Sequence, residues 1–336
     1  MDIYPKITWV WSPDTEIERV AHATSVVASG FYGRKGFVIL PRATGVGSVV
    51  VPDLPYGQIE KYWERIQSVP LQFPFEIPVD LRKEMGSIVW PQVKIDQEVL
   101  GTRQREWEKV QDSYWKQVKL VMLGEMARVG EVEVRLTNWG SVSSYSFLTK
   151  KKGQKLIIYL RSDAGVEALA EAIATALLWP DHEERGLTWS KREAIVDFLL
   201  TRGELLRKLP KYDPTLSTLR GITKVLREES EEYVRHLGVP NREKELEYLE
   251  GKIQVKGVST EGEWGKLEKM VLVKLLERRG EIVSFDEIAD LMWGAGEFKT
   301  FWAINKLMQR VKGKLTRLGC EKDVLTVKRG RGYLLQ

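Results

Sequence analysis

The chain has 336 residues, of which 43% are hydrophobic and 29% charged, and its formal net charge is +5. That balance is ordinary for a globular protein, and the length admits two or three domains. A single cysteine, Cys320, excludes an intramolecular disulfide and any multi-cysteine zinc site; with no apolar run near the roughly 18 residues of a membrane helix, and no cationic-then-apolar start in MDIYPKITWVW, a cytoplasmic protein without membrane contact is expected.

In the first segment, residues 1–102, alternation of Ile7, Trp9 and Trp11, and again of Phe37, Ile39, Val46 and Val49 to Val51, predicts strands broken by glycine and proline. Residues 59–69 read as a helix carrying Tyr62 and Trp63. Prolines at 70, 74, 78 and 91 mark an extended, irregular passage. The sequence GVGS at 45–48 invites a phosphate-loop reading, but neither a G-K-[ST] nor an adjoining helix follows, so a plain turn is favoured. Most of the twelve tryptophans are expected in the core, where an indole buries a large apolar area.

Residues 103–186 read as two or three strands and a helix. Val132 and Val134 alternate, Leu156 to Leu160 form an apolar strand, and Val166, Leu169, Ala170, Ile173, Ala174, Leu177 and Leu178 line one helical stripe. With Asn138-Trp139-Gly140-Ser141 ahead of that strand and helix, the segment is similar to YgjP/SprT-like metallopeptidases, where W-G-S precedes a strand and a helix bearing H-E-x-x-H. A zinc site of that kind needs two imidazoles one helical turn apart and a glutamate to activate water. Here the helix reads AEAIATALL and the three histidines, His22, His182 and His236, are far apart. His182-Glu183 is expected in a loop after Pro180, with Gly186 where a second ligand would stand. The resemblance therefore implies a scaffold without its metal, Trp139 to Ser141 being structural, and no enzyme, cofactor or metal site is expected.

Residues 187–260 are predicted to be helical and then connecting. Trp189, Ile195, Phe198 and Leu199 give one apolar face; Asp213-Pro214 starts a helix running through Leu219, Ile222, Val225 and Leu226 to Tyr233, stopped near Gly238 and Pro240. Asn241 to Trp264 reads as a connection, with a small strand at 253–258.

The last segment, 261–336, is the most informative. Leu267, Met270, Val271 and Leu275 recur at helical spacing up to Gly280. Ser284 with Glu287 is a capping box opening a helix with Ile288, Leu291 and Met292, closed by Gly294. In a third helix Ile304, Met308, Val311, Leu315 and Leu318 line a core stripe. At roughly 100° per residue, Lys299, Trp302, Lys306, Gln309, Arg310 and Arg317 fall on the opposite face, flanked by Asn305 and Lys312. Val324 to Val327 and Tyr333 to Leu335 form a hairpin with Gly330 and Gly332 at its turn and Lys328, Arg329 and Arg331 at its tip. From Lys299 onward there are 10 Lys and Arg against 2 Asp and Glu, a balance of +8, so the remainder of the chain sums to −3. Positive charge gathered on one module suits a polyanionic partner.

These residues carry a resemblance. Gly280 to Ser284, Trp293-Gly294, the approximate Lys314-Leu315, and Thr326 to Tyr333 with Lys328 as an extra residue resemble the effector domain of OmpR/PhoB-type response regulators. The resemblance implies a winged helix-turn-helix with a recognition helix near Trp302 to Leu315 in the major groove and a wing at Arg329 to Arg331 near a minor groove. No acidic constellation of a receiver domain stands upstream, so phosphorelay control is not expected. The expectation is a multidomain α+β chain that binds double-stranded DNA as a sequence-specific transcriptional regulator, with the transcription machinery and a second copy of the chain as possible partners. The alternative is a winged helix used for protein contacts or non-specific DNA docking in replication or repair.

Overall fold

The computed structural model describes residues 4–56, 61–67, 69, 73–93, 95–201, 209, 211–239, 246–249, 251–255, 258–294, 300–320 and 324–335. The chain divides into two compact units, Met1–Pro240 and Asn241–Gln336, both mixing helices with sheets, an α+β multidomain architecture.

The first unit runs β1 (Lys6–Val10), α1 (Pro13–Ala28), α2 (Phe31–Arg34), β2 (Val38–Leu40), β3 (Ser48–Val50), α3 (Tyr62–Gln67), α4 (Val79–Val89), α5 (Gln97–Glu108), α6 (Gln111–Val121), α7 (Leu123–Met126), β4 (Val129–Thr137), β5 (Ser143–Tyr145), β6 (Gln154–Arg161), α8 (Val166–Glu184), α9 (Trp189–Leu200), α10 (Thr215–Gly221) and α11 (Lys224–His236). Its main sheet has the order β1-β4-β6-β5, with β1, β4 and β6 parallel and β5 antiparallel. Because strand side chains alternate between faces, Val132, Val134, Leu156, Ile158 and Leu160 join Leu169, Ile173 and Leu177 of α8 in one core. Arg135 and Tyr159 point the other way, both reaching Glu18 of α1. Helices α1 and α8 thus leave the sheet on opposite faces. Since β1 pairs with β4, the segments 1–102 and 103–186 of the sequence reading share one sheet, and the described contacts divide the chain near residue 240 instead.

Helix α1 was not expected. Ser12 caps it, accepting from the Thr15 amide at 3.2 Å, and Pro13 occupies the first turn, where a missing N–H costs nothing. Its interior holds a buried polar network. Glu16 accepts from Trp11, Thr137 and Asn138, while Arg19 donates to the Trp139 and Ser141 carbonyls and the Ser141 hydroxyl. Gly140 is compelled at its position: it has φ +88° and a Cβ there would lie 2.1 Å from the Arg19 guanidinium. Trp139 to Ser141 are accordingly a structural seat for α1.

Four other expectations change. The proline-marked passage contains α4, whose Leu81, Met85 and Val89 are buried; Pro78 stands just before the helix rather than within it. His182 lies within α8, buried, not in a loop, because the helix continues through Pro180. The helix expected from Pro214 to Tyr233 is interrupted at Ile222, whose backbone is extended, and Thr223 caps a new one by accepting from the Leu226 amide. Of the helix expected at 59–69, Tyr62–Gln67 is helical, and residues 59, 60 and 68 lie outside the described ones. Among the described residues no helix is long and apolar enough to cross a membrane.

The second unit runs β7 (Leu246–Leu249), β8 (Lys252–Val255), β9 (Val258–Ser259), α12 (Lys266–Glu277), β10 (Ile282–Ser284), α13 (Phe285–Trp293), α14 (Phe301–Arg317), β11 (Leu325–Lys328) and β12 (Gly332–Leu335). The expected connection contains a small antiparallel sheet, β7-β8-β9, which puts Leu246, Ile253 and Val255 into the same core as the three helices. A second antiparallel sheet has the order β10-β12-β11. Ser284 caps α13 as the sequence implies: its hydroxyl accepts from the Glu287 amide at 3.2 Å and its own amide donates to the Glu287 carboxylate at 3.0 Å. Ser284→Ala should therefore lower the stability of this unit by about 1 kcal/mol, read from urea unfolding; an unchanged midpoint would show that the cap is idle.

Candidate nucleic-acid interface

Helix α14 is amphipathic along its whole length. Ile304, Leu307, Met308, Val311 and Leu315 are buried against Val271, Leu275 and Ile288, and the complementary face is left exposed. Trp302 is 70% and Phe301 63% exposed. Lys306, Gln309, Arg310, Lys312 and Arg317 are exposed on the same helix. The Lys306 ammonium sits 5.7 Å from the Trp302 ring centroid, a cation–π contact that holds both at the helix's open side. Lys299 lies outside the described residues.

Two of the sequence-named side chains are tied to the fold. Asn305 accepts a hydrogen bond of 2.7 Å from the Tyr333 hydroxyl, linking α14 to strand β12. Tyr333 in turn meets Phe285 edge-on, and Phe285 meets Phe301. Asn305 is thereby left with its amide N–H groups to offer outward. Arg310 approaches Glu268 at 3.7 Å, beside Lys314, which donates to the same carboxylate at 2.6 Å. Burial pushes the Glu268 carboxyl upward, but hydrogen bonds from Lys314 and the Gly265 amide, with the Arg310 charge, hold it below its ordinary value. Glu268 shares the inward side of α12 with Val271, Leu272 and Leu275, whereas Leu267 and Met270 of the same apolar spacing are exposed.

Strands β11 and β12 form the predicted hairpin, closed by an amide of Arg331 donating to the Lys328 carbonyl at 2.9 Å. Lys328, Arg329 and Arg331 are exposed at its tip. Gly330 has φ +73°, a conformation glycine adopts freely. The structure thus brings Trp302, Lys306, Gln309, Arg310 and Lys312 onto one helix face and the three wing cations onto one turn. Phe301, three residues before Ile304 and so on the line of the core stripe, is nonetheless exposed beside Phe285, an outcome that helical spacing alone does not signal.

Three helices against a small antiparallel sheet, with a basic hairpin tied to the third helix, define a winged helix-turn-helix. Residues 260–335 match the family model described as transcriptional regulatory protein, C terminal. Residues 260–335 thus carry the DNA-binding winged helix of OmpR/PhoB-type transcription regulation. No curated protein matches the chain. The family match does not reach residues 103–186, and nothing further supports the peptidase resemblance there. Among the described residues no three His, Cys, Asp or Glu side chains converge as metal ligands.

Proposed function

We propose that this chain is a sequence-specific transcriptional regulator in which α14 enters the major groove of duplex DNA and the β11–β12 wing reaches an adjacent minor groove. The observation that carries this reading is the division of α14 into a fully buried stripe and an exposed face of cations and amides. On that face Lys306 and Lys312 neutralise phosphates, while Gln309 and the free amide of Asn305 are suited to base edges. Arg310, shared with Glu268, acts at the backbone, and the wing cations add sequence-independent affinity. The unit Met1–Pro240 then serves for sensing or assembly.

Binding of fluorescent duplexes tests it. Affinity should fall steeply with salt, and Lys306→Ala should weaken binding about tenfold and reduce the salt slope by about one. Affinity independent of salt, or unmoved by Lys306→Ala and Arg310→Ala together, would remove the reading. A second reading, in which the winged helix contacts protein or docks on DNA without regard to sequence, draws on the exposed Phe301 and Trp302 rings. Equal affinity for selected and random duplexes decides for it.

A further inference from the structure

The first unit holds a cavity of about 280 Å³ at the carboxyl end of β6, where the chain turns into α8. In open parallel sheets ligands sit outside the carboxyl ends of the strands, at the point where successive helices pass to opposite faces. Here the cavity shares that position at a strand's carboxyl end, with α1 and α8 on opposite faces of the sheet.

The wall nearest the sheet is rigid. Arg161, 2% exposed, donates to the Ser48 carbonyl at 2.9 Å, the Gly140 carbonyl at 3.2 Å and the Gly45 carbonyl at 3.1 Å, and pairs with Asp163 at 2.6 Å. The GVGS turn therefore presents carbonyls to an arginine, the reverse of a phosphate cradle, whose amides would point inward. Arg103 is fixed above the turn between β6 and α8 by the Ser162 carbonyl. In the second turn of α8, Glu171 accepts from the Thr215 hydroxyl at 2.9 Å, with Asp213 on the same wall. Beside Glu171, the carboxyl group of Glu193 is 7% exposed and has no hydrogen-bond or ion-pair partner among the described residues.

Charge and size narrow the occupant. Three cationic and four acidic side chains among the described residues line the space. A polyphosphate would meet Asp163, Glu167, Glu171 and Asp213, and a diamine would meet the two arginines. The volume lies just below the roughly 300–1,000 Å³ of drug-sized ligand pockets, which favours a small occupant. We propose that the cavity binds a small zwitterion of the amino-acid class, its carboxylate directed to Arg103 and Lys211 and its ammonium to Glu171 and Asp213. This assignment is independent of the DNA-binding reading and supplies the first unit with a chemical signal.

The test uses the full chain, with each of the twenty standard amino acids as probe in thermal-shift and titration-calorimetry measurements. At least one is expected to bind saturably, with its decarboxylated amine and its deaminated acid at least tenfold weaker. Glu171→Gln and the surface change Lys211→Glu should each weaken binding at least tenfold, whereas Lys306→Ala should leave it unchanged. No binding at millimolar concentration by any probe overturns the proposal. So does equal binding of the amine or the acid alone, or indifference to Lys211→Glu in a folded variant.

Discussion

Gly332→Ala should destabilise the C-terminal unit by roughly 3 kcal/mol or more, combining overpacking with backbone strain. Gly332 opens β12 opposite Ser284 and has φ +152°, and a Cβ there would lie 2.0 Å from the Val283 carbonyl oxygen and 2.8 Å from the Ser284 Cα. Both obstacles are backbone atoms of the neighbouring strand, so no side chain can swing aside. Relief requires β12 to leave β10, which would also move Tyr333 away from Asn305. Gly330→Ala is the control: a Cβ there meets nothing within 4 Å, and only the cost of its φ of +73° remains, about 1 kcal/mol. Chemical denaturation of both variants reads the difference. Equal, small losses would mean that β12 does not approach β10 as closely as described.

The second large effect is a loss of stability in the first unit as pH rises. Burial pushes the Glu193 carboxyl well above its ordinary value, and the nearby Glu171 carboxylate pushes it further. Burial raises Glu171 as well, against the Thr215 hydrogen bond and with help from Asp197, and an ammonium bound beside it would draw off its proton. A carboxyl whose folded pKa is raised keeps its proton in the native state after the unfolded chain has released it. Stability is therefore full below the ordinary carboxylate range and declines from there upward through neutrality, by about 1.4 kcal/mol per pH unit for each proton so held. Asp181 shows the opposite sign: the hydrogen bond from Arg128 holds it below its ordinary value, so its contribution is lost at acid pH. Calorimetric melting should give a markedly lower transition at pH 8 than at pH 5, and Glu193→Gln should flatten that dependence. A transition that rises between those two values would contradict the burial of this pair.

The sequence shows α14 clearly because a half-buried helix writes its two faces into the chain as separate residue types. It conceals α1 for the converse reason. Glu16, Arg19 and His22 are buried along with Ile17 and Val20, so polar residues no longer mark solvent and the periodicity disappears. The spacing of Val271 and Leu275 shows α12, but not that Glu268 turns inward to meet Lys314, a partner 46 residues away. At the candidate interface, exposure could be read from helical geometry, Phe301 apart. The ties of Asn305 to Tyr333 and of Arg310 to Glu268 could not, because they depend on how β12 and α12 pack against the helix. The pairing of β1 with β4 across position 102 could not be read either, because strand pairing between distant segments leaves no local trace.

That pairing has a consequence during synthesis. Lys6 of β1 lies against Glu131 of β4, and β4 in turn lies between β1 and β6. Strand β1 therefore has no seat until the much later β4 has been made, and α1, with its charged interior, has no sheet to cover until then. Such non-local closure is slow and leaves apolar edges open meanwhile. The first unit thus closes late in synthesis, whereas the strand pairings of the C-terminal unit all lie within residues 246–335.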